Sequence, residues 1–128
     1  EWRIDAVASP KAPALVCCAS QPDRGVAIAA GGRYVVRVGP NSKSELEIGN
    51  GTHWSACAVD VLGGEWVAGA GSIWFSPGDA APWREVWRDL AWTAPFVSIH
   101  ADADRVVLVT ADGGVLEGRT GADFRAAL

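Results

Sequence analysis

Three segments of the chain repeat one order of features: a short apolar run, a glycine-containing turn, a second apolar run and a small polar loop. They read DRGVAIAAGGRYVVRVGPNSKSELEI at residues 23–48, GEWVAGAGSIWFSPGDAAPW at 64–83 and DRVVLVTADGGVLEGRTGADF at 104–124. Val26, Val67 and Val107 align at spacings of about 40 residues. The stretches before them, LVCCAS, SACAVD and FVSIHAD, agree as well, with Cys17, Cys57 and Ser98 in register. An internal period constrains architecture before any single residue does, because each repeat must bury its apolar faces against its neighbours.

Each repeat divides into four expected strands. In the last copy these are residues 96–100, 105–110, 114–118 and 124–128. The joint ADADR is a tight polar turn, and ADGG carries an Asp-Gly step suited to positive backbone angles, with AAGG and GAG as its counterparts. The second strands read VAIAA, WVAGA and VVLVT. A sheet with one wet face alternates apolar and polar residues, so these strands are expected to be covered on both faces. The small residues Ala27, Ala29, Ala68 and Gly69 suggest close approach of sheets near an axis.

Composition agrees. The chain has 128 residues, 49% hydrophobic and 20% charged, with seven Trp and 15 Gly, which fits one packed domain rich in strands and turns. The net charge of −4 comes with no basic run, which disfavours a nucleic-acid partner, since that affinity rests on clustered cations. No apolar run reaches the roughly 18 residues of a membrane helix. Glu1 opens a chain without Met, the expected look of a fragment or a processed chain. Adjacent strand residues point to opposite faces, so Cys17 and Cys18 are poor partners for each other. Reduced, buried thiols are one reading of the three cysteines, and a disulfide from Cys57 is the other. The compartment stays open, with the odd, unpaired count leaning towards the cytoplasm.

Four short antiparallel strands per repeat is the blade unit of a β-propeller; a β-sandwich shares the strand spacing but needs no equivalent residues. The expected fold is all-β, a partial propeller of three four-stranded antiparallel blades at residues 14–48, 54–88 and 95–128. An extra N-terminal outer strand at 1–8 is expected to belong to a preceding blade, because WRIDAV matches WREVW and FRAAL. Three blades leave two apolar flanks, so self-association that closes the ring is expected.

The strand pattern FVSIHADADRVVLVTADGGVLEGRT resembles WD40-like repeats, without their Gly-His and Trp-Asp signatures. A closer resemblance is to Asp-box propellers of the sialidase-like and photosystem-assembly-factor-like kind. SPGDAAPW, residues 76–83, has the Ser and closing Trp of the Asp-box loop with Asp79 displaced, and RTGADF, 119–124, keeps Thr120 and the aromatic. In that family the loop braces the blade, so the resemblance implies architecture and no activity.

Residues for catalysis are sparse. His53 and His100 sit at unrelated repeat positions, and no GxSxG elbow is present. Tyr34, Arg33 and Arg37 lie within one strand rather than on several blades, unlike a sialidase centre. The Asp102–Asp104 turn lacks the Gly and Glu of a calcium loop, and no ligand spacing suggests zinc. Neither a cofactor nor a metal is expected, and an enzyme is not. The expected function is a non-catalytic interaction or sensor module that recognises a protein or other ligand, or regulates an attached domain. A carbohydrate-binding module is the alternative. In a propeller the turns between strands two and three share one face with the connections between blades, so His53, Trp54, Trp92 and Asp112 are the candidate binding residues. Trp54 and Trp92 are anchors on this reading; the other reading, which has the greater weight for each, is packing between blades.

Overall fold

A computed structural model describes residues 15–40, 43–49, 52–78, 81–102, 104–119 and 123–127. The expected outer strand at 1–8, and Asp79 and Thr120 of the Asp-box-like loops, lie outside the described residues.

The fold is all-β: three four-stranded antiparallel sheets, each a simple meander in chain order. The first holds β1 (Cys17–Gln21), β2 (Val26–Gly31), β3 (Tyr34–Val38) and β4 (Lys43–Glu47). The second holds β5 (Ala56–Val59), β6 (Glu65–Gly69), β7 (Ser72–Ser76) and β8 (Arg84–Arg88). The third holds β9 (Phe96–Ala101), β10 (Val106–Thr110), β11 (Val115–Gly118) and β12 (Arg125–Ala126). A single 3₁₀ turn, Pro22–Arg24, joins β1 to β2.

The sheets stack as propeller blades do, with β1 against β5 and β5 against β9, the first strand of each sheet beside the first strand of the next. Two apolar seams follow. Between the first and second sheets lie Ile28, Ala30, Val35, Trp54, Cys57 and Val67. Between the second and third lie Trp66, Ala68, Ile73, Phe96, Leu108 and Leu116. All five residues of β6 are buried, as expected for a central blade covered on both faces. In β10, by contrast, burial alternates: Val106, Leu108 and Thr110 are buried while Val107 and Val109 are half-buried. Its second face is turned away from the other sheets.

Val26, Val67 and Val107 all lie on second strands, but they do not share one position. Val26 is the first residue of β2, Val67 packs in the seam with the first sheet, and Val107 faces away from the second. Counted from the turn that follows each second strand, Ile28, Trp66 and Val107 are equivalent; they pair with Arg37, Phe75 and Glu117. Cys17 pairs with Ala30 thirteen residues on, whereas its equivalent Ala56 pairs with Ala68 twelve residues on, so the hairpin from β5 to β6 is one residue shorter. Side chains alternate along a strand, so an odd displacement reverses the face.

The joint between β5 and β6 is built around a carboxylate. Buried Asp60 accepts hydrogen bonds from the Leu62 and Gly64 amides at 2.9 and 2.8 Å and from the Trp66 indole N–H at 3.1 Å. A buried carboxylate is tolerated when its lone pairs are filled in this way. The expectation that Gly69 allows sheets to converge is corrected: a Cβ there meets the His53 carbonyl and the Thr52 side chain, so Gly69 makes room for the connection between blades.

Candidate functional site: a groove at the loop end of the third blade

The connection from β8 to β9 is shaped by Asp89. Its side chain accepts the Ala91 amide at 2.9 Å, its carbonyl accepts the Trp92 amide at 3.1 Å, and its own amide donates to the Gly71 carbonyl at 2.9 Å. Gly71, at φ +68°, permits this approach, since a Cβ there would lie 2.6 Å from the Asp89 carbonyl oxygen. The connection is thereby pinned to the turn between β6 and β7 and delivers Trp92 towards the third sheet.

Trp92 is held by two aromatic neighbours. It meets Trp87 edge-on at 5.6 Å and stacks on Phe96 at 5.9 Å, arrangements favoured by the ring quadrupoles. Across from it is the turn between β10 and β11. Thr110 closes that turn through backbone bonds with Gly113 and Gly114, and its hydroxyl accepts the Gly114 amide at 2.7 Å. The same hydroxyl donates to Asp112 Oδ1 at 2.5 Å. The Ala111 amide donates to the Pro95 carbonyl at 3.0 Å, which ties the turn to the connection carrying Trp92.

Ala91, Trp92, Thr93, Ala94, Thr110, Asp112 and Gly114 line one groove of about 300 Å³. Gly114 leaves space above the indole, because a Cβ there would stand 3.4 Å from the Trp92 ring and 2.8 Å from the Thr110 hydroxyl. Asp112 is exposed, and the Thr110 hydroxyl, then the Gly114 amide, hold its carboxyl below the usual range. A fixed negative charge therefore stands beside an indole wall and a hydroxyl.

The other two sequence candidates do not line this groove. Trp54 is only 1% exposed. Its ring packs edge-on to Trp74 at 6.3 Å beneath Gly49, where a Cβ would lie 2.8 Å from the indole, and its backbone amide donates to the Gly32 carbonyl at 2.7 Å. It fills the seam between the first two blades. His53 is exposed on the same connection. His100 is also exposed and faces Asp102 at 3.4 Å.

A larger groove of about 420 Å³ lies at the opposite end of the third sheet, lined by Arg105, Arg119 and Arg125 with Asp104, Glu117 and Asp123. Arg105 and Glu117 pair there at 2.7 Å, and the two signs balance. Tyr34, Arg33 and Arg37 form no common centre: Arg33 faces Glu47 at 3.6 Å and Arg37 pairs with Glu65. Among the described residues, no group of three or more His, Cys, Asp or Glu side chains is placed to hold a metal ion, and no helix is long and apolar enough to cross a membrane.

Thr110 was not singled out by sequence reasoning, although the ADGG stretch that follows it, ending at Gly114, was. The missing signal is the side chain two residues before Asp112, whose hydroxyl orients the carboxylate. No protein-family model matches the chain, and no curated protein matches it.

Proposed function

We propose that this chain is a non-catalytic recognition module whose loop-end groove takes a basic side chain of a protein partner or of an attached domain. The observation that supports this most is the convergence of Trp92 and Asp112 from two separate connections onto one groove. A carboxylate kept ionised by its own turn attracts a cation. An adjacent indole contributes a further 0.5–1 kcal/mol or so when the site remains wet. An exposed ion pair alone is worth little, so the indole and the Thr110 hydroxyl supply the orientation.

A peptide array in which Arg and Lys are scanned through otherwise neutral sequences tests the reading. Binding is expected to follow the basic residue and to be lost in Asp112→Asn, a surface change that leaves the fold intact. The carbohydrate reading is favoured by the hydroxyl, carboxylate and indole together. Signal on a glycan array, lost in Trp92→Ala, with none on basic peptides would select it.

The Asp-box resemblance receives support from two braces. The Ser76 hydroxyl donates to the Ala81 carbonyl at 2.8 Å and accepts the Gly78 amide at 3.2 Å, while Asp123 accepts the Arg119 amide at 2.8 Å. Phe124 after it lies against Gly118 and meets Trp66 edge-on at 6.3 Å. Both loops hold an aromatic against a seam, a structural role. Self-association is part of the same proposal. The face of the third sheet away from the second carries half-buried Val107, Val109 and Val115, and Val97 is 55% exposed nearby on β9.

A further inference from the structure

Cys17 and Cys57 face each other across the seam between the first two blades. Cys17 pairs with Ala30 on the side of its sheet turned towards the second blade, and Cys57 pairs with Val67 on the side turned towards the first. The equivalent of Cys17 on the second blade is Ala56, which pairs with Ala68. Cys57 stands one residue further on, and the alternation of a strand turns its thiol back towards Cys17. Both side chains belong to that one seam, and Cys17 Sγ also donates to the Ala30 carbonyl at 3.6 Å. Both strands are sheet edges, so the pair sits where the seam opens along the innermost strands. Cys18 is exposed on the opposite face of β1.

We infer that Cys17 and Cys57 are a dithiol oxidation site, taking hydrogen peroxide or a similar small hydroperoxide, and that their reversible disulfide staples the first blade to the second. Half-buried Cys17 is the residue oxidised first. Its thiolate displaces hydroxide from the peroxide: an S–O bond forms, the O–O bond breaks, and a sulfenic acid remains. The Cys57 sulfur then attacks the Cys17 sulfur, forming the S–S bond as the S–O bond breaks, and water leaves with the Cys57 proton. Two thiols lose two electrons in all, and one peroxide becomes two waters. The hydrogen bond from Cys57 holds the Cys17 thiol below its ordinary range, which supports this order. The same bond, followed by burial, pushes Cys57 well up.

The test uses the whole chain with Cys18→Ser, so that the exposed neighbour does not compete. After hydrogen peroxide treatment, intact mass is expected to fall by two hydrogens. The mapped crosslink should join Cys17 to Cys57, and dithiothreitol should reverse both changes. Thermal unfolding of the oxidised form is expected to rise by about 10 °C, since the crosslink closes a long loop. In Cys57→Ser, dimedone should trap a sulfenic acid at Cys17. Oxidation of Cys17 to sulfinic acid with Cys57 still alkylatable would overturn the inference, as would a crosslink between two chains or two thiols left unreacted.

Discussion

Arg37 Nε lies 2.8 Å from Glu65 Oε2, an ion pair that runs from the third strand of the first blade to the second strand of the second. The Glu65 side chain is 2% exposed and that of Arg37 is 19%. The pair joins two sheets that share no backbone ladder. The apolar seam supplies the larger attraction through burial. The ion pair fixes how far one blade slides on the other, because a buried carboxylate tolerates few positions of its cation.

Removing the cation therefore costs more than removing the attraction. Arg37→Ala is expected to lower stability by about 3 kcal/mol, since it leaves the Glu65 charge buried. Arg37→Met combined with Glu65→Leu should cost less than Arg37→Ala alone. Urea unfolding of the three proteins checks the order; equal losses would show that burial of the charge is not what matters.

Asp60→Ala should cost about 2–3 kcal/mol, because the Gly64 amide and the Trp66 indole N–H become buried donors without an acceptor. Asp60→Asn should recover part of the loss by keeping one acceptor oxygen. Thermal melts followed by Trp fluorescence distinguish the two.

Acid titration tests the turn beneath the groove. The folded Asp112 carboxyl is depressed by Thr110 and Gly114, so its contribution is present above the unfolded value and is lost as pH falls through the folded one. An NMR titration of the Asp112 side-chain carboxyl should show the depressed midpoint, and Thr110→Val should move it upwards. An unchanged midpoint in the variant would mean that the hydroxyl does not hold the carboxylate.

Assembly is accessible to light scattering. At micromolar concentration the chain is expected to exceed its monomer mass of 13.4 kDa, because apolar sheet faces and unpaired edge strands recruit further chains. Val109→Glu, on the uncovered side of β10, should shift the population towards monomer. A monodisperse monomer before the substitution would contradict the expectation.

The repeat made the sheets legible in advance, since four strands and their glycine turns recur in each copy. Position within a strand was less legible. Val67 stands three positions beyond Gly64, the equivalent of Val26, and this odd displacement reverses the face it presents; pairing geometry, not spelling, decides that. Trp54 and Trp92 both follow a fourth strand and read alike in sequence. They part because Trp54 enters a seam beneath Gly49, whereas Trp92 stops over Phe96 at the rim of the third sheet. Asp112 was visible as a turn residue. Its company with Trp92 was not, because the residues that bring them together, Asp89 and Gly71, do so through bonds to backbone atoms of the connection and the turn.

The groove itself is tested by following the Trp92 indole N–H by NMR while N-acetyl-arginine amide is added, with methyl glucoside as an uncharged control. Saturable shifts with the arginine derivative, abolished in Asp112→Asn and absent with the glucoside, are the predicted result. Shifts with the glucoside alone, or an indole signal that neither compound moves, would contradict recognition of a basic side chain at Trp92 and Asp112.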